Sequence, residues 1–160
     1  MWKFGDDVNT DLIIPGRYLS SYDAAHLAEH AMEGLSDRFA KEVAPGDVII
    51  AGKNFGCGSS REQAVIALKS AGVSAVVAES FARIFYRNAI NLGLPALVSA
   101  DARSVFEDGD RALADLGALA IVSSDGSKRA QVEHVPDHVM RILASGGLVP
   151  HLKARMGKSE

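Results

Sequence analysis

Residues 47–72 read DVIIAGKNFGCGSSREQAVIALKSAG, an apolar run, a loop rich in small residues, and then apolar side chains at helical spacing. The run GDVIIAG predicts a buried strand. After the loop, Ala64, Val65, Leu68 and Ala71 fall on one helical face, and Gly72 stands where a helix stops. The unit repeats at once. VSAVVAE predicts a second strand, SFARIFYRNAINLG a helix closed by Gly93, and LPALVS a third strand. Strands alternating with crossover helices pair in parallel. Further on, GALAIVSS and SKRAQVEHV flank Asp125-Gly126, a hairpin signal, and PDHVMRILASGG predicts a helix stopped by its glycine pair. The class is therefore mixed α/β, with parallel and antiparallel strands. Toward the start, DLIIP reads as a short strand and AAHLAEHAMEGL as a short helix ending at Gly34.

Composition narrows the functional classes. A chain of 160 residues with 48% hydrophobic and 23% charged residues suits one domain with its own core. Repeats, low-complexity tracts and linkers are absent, and KARMGKSE, with a tail from about residue 154, reads as solvated. Apolar runs fall short of the ~20 residues that span a bilayer. The N-terminus lacks a secretory pattern and the lone cysteine cannot form an internal disulfide, so a cytoplasmic location is expected. A net charge of −3 with scattered Lys and Arg predicts neither nucleic acid nor membrane as partner.

The loop GKNFGCGSSREQA, residues 52–64, concentrates the chemistry. Ser59, Ser60, Arg61 and Glu62 fit the capping box S-x-x-E, in which the first serine caps the helix. Yet Gly56 and Gly58 bracket Cys57, and a plain turn does not need such close backbone approach. Free amides at a helix start, with Arg61 in the first turn, suit a carboxylate or phosphate. Both readings stay open, as does an anion- or nucleotide-binding module without catalysis. The loop matches neither the Walker nor the dinucleotide pattern. A nucleophilic Cys57 would need a basic partner that the neighbouring sequence lacks. His26 and His30 lie one helical turn apart, but HLAEH lacks the order of the zinc motif, and His134 and His138 straddle Pro136. These histidines read as surface residues, and Arg83 with Arg87 as a solvated face or subunit contact. Lys53 and Asn54 read as solvated loop residues.

Four segments in order, GDDVNTDLIIPGRYL, GKNFGCGSSREQA, ESFARIFYRNAINLGLP and ILASGGLVPHLK, resemble the small subunits of the 3-isopropylmalate dehydratases, in the aconitase superfamily. The resemblance spans residues 5–153 and implies the swivelling β/β/α fold, as one domain over residues 1–160. It also implies no cofactor in this chain and a partner, the large subunit, carrying a 4Fe-4S cluster whose iron acts as Lewis acid. The pair would be a heterodimer or heterotetramer acting on a di- or tricarboxylate. The reaction implied is interconversion of 2-isopropylmalate and 3-isopropylmalate by dehydration and rehydration, a step of leucine biosynthesis.

Residue by residue, the resemblance places Ser59 on the general base, Ser60 on a substrate-holding serine, Arg61 on a carboxylate clamp and Asp11 on an active-site aspartate. Gly56, Cys57 and Gly58 would support the site. Gln63 departs from the histidine common in aconitases. Ser20 falls where homoaconitase-type subunits carry an arginine, so Ser20 and Ser21 are expected to face an uncharged branch. Homocitrate, homoaconitate and smaller alkyl malates are the alternative substrates.

Overall fold

The computed structural model describes residues 1–157. Strand β1 (Trp2–Lys3) leads to a one-turn helix α1 (Thr10–Ile13), a 3-10 turn (Gly16–Tyr18), and the short helices α2 (Ala24–Glu29) and α3 (Phe39–Glu42). Then β2 (Val48–Ala51), α4 (Glu62–Ser70), β3 (Ala75–Ala78), α5 (Arg83–Asn91) and β4 (Ala96–Val98) alternate, as the periodicity predicts. Helix α6 (Ala102–Val105) follows. The chain continues through β5 (Ala112–Asp115), β6 (Ala120–Ser123) and β7 (Arg129–Gln131), then ends in α7 (Asp137–Ala144) and α8 (Leu148–Met156).

The first four strands form a parallel sheet in the order β1-β2-β3-β4, and the last three an antiparallel sheet in the order β5-β6-β7. Strands β2 and β3 are buried at every position because both sheet faces are covered. Side chains alternate between faces. Ile49, Ala51, Val76 and Ala78 join a core with Leu27, Val65, Leu68 and Phe85 from helices α2, α4 and α5. Val48, Ile50, Ala75 and Val77 face the other way, onto Ala102, Phe106, Ile121 and Val139 from α6, β6, α7 and the segment after α6. The mixed α/β class holds. Among the described residues no helix is long and apolar enough to cross a membrane.

Several local expectations change. DLIIP is helical at its start, not a strand: Asn9 caps α1 by accepting a hydrogen bond on its side chain from the Leu12 amide at 3.0 Å. Helix α2 begins as expected after Asp23, whose side chain accepts from the His26 amide, but stops well before Gly34. The chain turns there because the Met32 and Gly34 amides pair with the carbonyls of Ile13 and Leu12. The end of the chain is exposed from Leu152 to Gly157, as a solvated segment would be, and it is helical, since α8 runs through Met156 and carries Pro150 harmlessly in its first turn. Residues 158–160 lie outside the described range.

Candidate active site

The glycine loop leaves the C-terminal end of β2, the edge at which open parallel sheets bind ligands. Two isolated bridges prolong the sheet into it. Asn9 pairs with Cys57 and Phe55 with Phe81, both in parallel sense. The segment after β1 is thereby closed onto the loop. Gly56 N–H donates to the Val8 carbonyl at 2.7 Å, Thr10 N–H to the Cys57 carbonyl at 2.9 Å, and Thr10 Oγ1 to the Ser59 carbonyl at 3.1 Å. Thr10 is buried to 3% exposure for this purpose. Gly56 has φ +79°, and a Cβ there would sit 2.2 Å from the Phe85 ring. Gly58 also has positive φ, but its Cβ would meet only ordinary contacts. The first glycine is required by space and the second by conformation.

Beyond the loop, the capping box does not form. The residue capping α4 is Arg61, in extended conformation and without a side-chain cap bond. Ser59 lies two residues upstream, exposed, and its hydroxyl makes no hydrogen bond among the described residues. Cap and chemistry therefore do not compete for this oxygen. The amides of Arg61, Glu62 and Gln63 likewise donate to nothing among the described residues, and the exposed Arg61 guanidinium has no ion pair there. Ser60 Oγ is buried without a hydrogen-bond partner. Asp11 is exposed in α1, on the segment that Thr10 ties to the loop. A helix start with free amides, a free guanidinium and an orphaned hydroxyl is equipped to receive an anion.

Residues 18–21 reach the same region through Gln63. Its side chain is 5% exposed and donates from Nε2 to the Leu19 carbonyl at 3.1 Å. Ser20 is exposed and makes no hydrogen bond among the described residues. Ser21 is used locally, its Oγ accepting from the Asp23 amide at 3.0 Å. The nearby cation Arg17 is paired with Glu33, which also accepts from Tyr18 Oη and from His30. Partial burial acts to raise the Glu33 pKa, but these donors prevail and hold it below the ordinary carboxylate range.

Two further groups had only surface readings from the sequence. Arg83 and Arg87 line a cleft of about 370 Å³ together with Gly58 and Ser60, so this helix face borders the loop. A larger groove of about 610 Å³ is lined by the same arginines together with Tyr86, His138 and Ile142. The second group is His26, Glu29 and His30, gathered on α2 and its cap. Their i, i+3, i+4 spacing was the available signal. Lys53 and Asn54 are exposed as expected, though Asn54 is held by Ser80 Oγ through its amide and by Asp7 through its side chain.

Comparison with known proteins decides the family. Residues 7–101 match the family model described as the aconitase C-terminal domain. The chain belongs to the aconitase family. A protein of Methanopyrus kandleri named 3-isopropylmalate dehydratase small subunit 1 is 54% identical over 95% of this chain and 89% of its own length. The methanogen homoaconitase small subunit of Methanothermobacter thermautotrophicus is 52% identical over 94% of this chain and 87% of its own. A crystal structure of 3-isopropylmalate dehydratase from Methanocaldococcus jannaschii superposes with a TM-score of 0.91 at 52% identity, covering 97% of this chain and 92% of that one. The swivelling-domain fold expected from the sequence is thus confirmed, and the chain is the small subunit of an aconitase-family hydro-lyase. An iron-sulfur cluster is ordinarily held by three or four thiolates. This chain has one cysteine, half-buried Cys57, fewer thiolates than that.

Proposed function

We propose that this chain is the small subunit of a two-subunit isopropylmalate isomerase of leucine biosynthesis, functioning as one domain beside a large subunit that carries the 4Fe-4S cluster. The observation carrying this reading is the exposed end of α4, where Ser59, the free amides and Arg61 have no partner among the described residues. A second subunit completes the site. The chemistry is the same whether the pair is a heterodimer or a heterotetramer.

Dehydration of a malate-type substrate breaks a C–H bond α to one carboxylate and the C–O bond of the hydroxyl. In this reading Ser59 Oγ accepts the proton as an alkoxide and becomes a hydroxyl. Rehydration of the alkene diacid, with hydroxide on the other carbon, returns that proton. An alkoxide is costly, and the adjacent Arg61 charge and positive helix end lower that cost. Arg61 clamps a substrate carboxylate through its planar fork, Ser60 adds its unpaired hydroxyl, and Asp11 approaches from the segment tied down by Thr10. Gly56, Cys57 and Gly58 shape the loop. Ser20 and Ser21 border the substrate branch, and the nearest loop cation, Arg17, is occupied by Glu33. An additional carboxylate finds no free guanidinium there, which favours an uncharged alkyl branch.

Purified chain is mixed with the reconstituted large subunit, and absorbance of the unsaturated intermediate is followed with isopropylmalate, citrate, homocitrate and a methyl-substituted malate. We expect no turnover from the chain alone and preference for alkyl malates by the pair. Turnover without the partner, or none with it, removes the two-subunit reading. Preference for homocitrate assigns the chain instead to the homoaconitase-type function carried in the name of the Methanothermobacter relative.

A further inference from the structure

We infer that His26, Glu29 and His30 form a binding site for a divalent transition metal ion of the zinc type. Ligand atoms of the three side chains all lie within 4.8 Å of one another. Two ligands on a tetrahedral zinc, each about 2.0–2.2 Å from the ion, stand about 3.3 Å apart, so modest side-chain rotation closes the site. The rings already have a suitable disposition. Two imidazoles sharing such an ion place their centroids about 5 Å apart, and those of His26 and His30 are separated by 5.0 Å.

His30 is prepared for ligation by a further carboxylate. Its Nδ1 lies 2.7 Å from Glu33 Oε2. A carboxylate only accepts, so Nδ1 carries a proton, and in the neutral ring that a metal takes Nε2 keeps its lone pair. A carboxylate behind a histidine in this way orients the ring and raises its basicity as a ligand. Tyr18 adds a second constraint by stacking, its ring 3.8 Å from that of His30 and 9° from parallel. Glu29 is exposed and has no partner among the described residues, leaving its carboxylate free to swing in. Water fills the fourth position. Nitrogen and oxygen ligands in this ratio suit zinc over magnesium or calcium, which prefer all-oxygen shells.

The site adjoins residues 18–21 through Tyr18, so a bound ion would brace the loop bearing Ser20. Binding itself does not depend on the reaction assigned to the protein and is read on the full chain without its partner.

Zinc chloride is titrated calorimetrically into the untagged chain, with His26→Ala, Glu29→Gln and Glu33→Gln as variants and His134→Ala as control. The expected result is one ion per chain, lost in His26→Ala, weakened in Glu29→Gln, about 10–100-fold weaker in Glu33→Gln, and unchanged in the control. Circular dichroism establishes that each variant is folded. His26 and Glu29 lie outside the buried core, so their replacement tests ligation without removing core packing. Absence of one-to-one binding, or binding by His26→Ala equal to the original, overturns the site.

Discussion

Ser59 and Gly56 sit three residues apart and answer to different physics. Ser59→Ala removes a hydroxyl that caps nothing, so stability should stay within about 0.5 kcal/mol of the original. Turnover of the reconstituted enzyme should fall by about 10²–10⁴-fold if that hydroxyl is the base. Urea unfolding and initial rates measure the two effects separately, and turnover within a few-fold of the original disproves the role. Arg61→Lys keeps the charge and loses the fork, so a large rise in KM is expected. At Gly56 the order reverses. Gly56→Ala drives a Cβ into Phe85 at a position of φ +79°, and should cost at least about 1–3 kcal/mol by overpacking alone. Gly58→Ala meets no clash and should cost about 1–2 kcal/mol through its left-handed backbone. Equal losses at the two glycines would contradict the steric account.

Between β6 and β7 an element-scale device is visible at Asp125. Its carboxylate accepts from Ser123 Oγ at 2.6 Å, from Ser127 Oγ at 2.7 Å and from the Ser127 amide at 3.0 Å. The Ser123 hydroxyl is the leading cause, with Ser127 next, of a pKa held well below the ordinary aspartate range. The folded hairpin thus binds this proton less readily than the unfolded chain. Its contribution to stability is present above the ordinary aspartate value of about 3.9 and is lost as pH falls below it toward the folded value. Amide protection factors in β6 and β7, corrected for intrinsic exchange, should therefore fall on acidification below about pH 4, and Asp125→Asn should flatten that dependence. An unchanged profile in the variant would place the acid sensitivity elsewhere. The same scale explains Gln63, which has traded titration for a fixed amide bond to Leu19 and so holds the Ser20 loop against α4.

Over the whole molecule, the parallel sheet separates two cores yet is a single hydrogen-bonded unit. Val76 and Val77 are adjacent, both fully buried, and face opposite cores. Val76→Ala and Val77→Ala should each cost about 1–3 kcal/mol. Each should also shift one common transition, seen alike by far-UV circular dichroism and by Trp2 fluorescence, because β3 cannot lose one face alone. Two resolved transitions would show that the cores unfold independently. The exposed apolar side chains Ile84, Val149 and Leu152 complement this picture, placing unspent apolar surface on α5 and α8.

The residues themselves determined the parallel strands, since VIIA and AVVA are continuous apolar runs, the first closed by Gly52 and the second flanked by Ser74 and Glu79, and local burial pattern is a property of neighbouring residues. The helices ending at Gly72 and Gly93 and the Asp125-Gly126 hairpin were legible for the same reason. The four family segments pointed to the candidate site. What only the tertiary structure decided depends on contacts far apart in the chain. DLIIP became helical because Asn9 caps it and its carbonyls are claimed by Met32 and Gly34. The capping box failed because the Ser59 carbonyl is engaged by Thr10, 49 residues away, while the cap of α4 is Arg61, two residues later. Strand β1, two residues long, exists only as a partner of β2. His26 and His30 looked like separate surface histidines until Tyr18 and Glu33 packed around them. Side-chain spacing along a strand or helix is written locally, whereas the choice of hydrogen-bond partner for a short segment is settled by whichever distant backbone it meets.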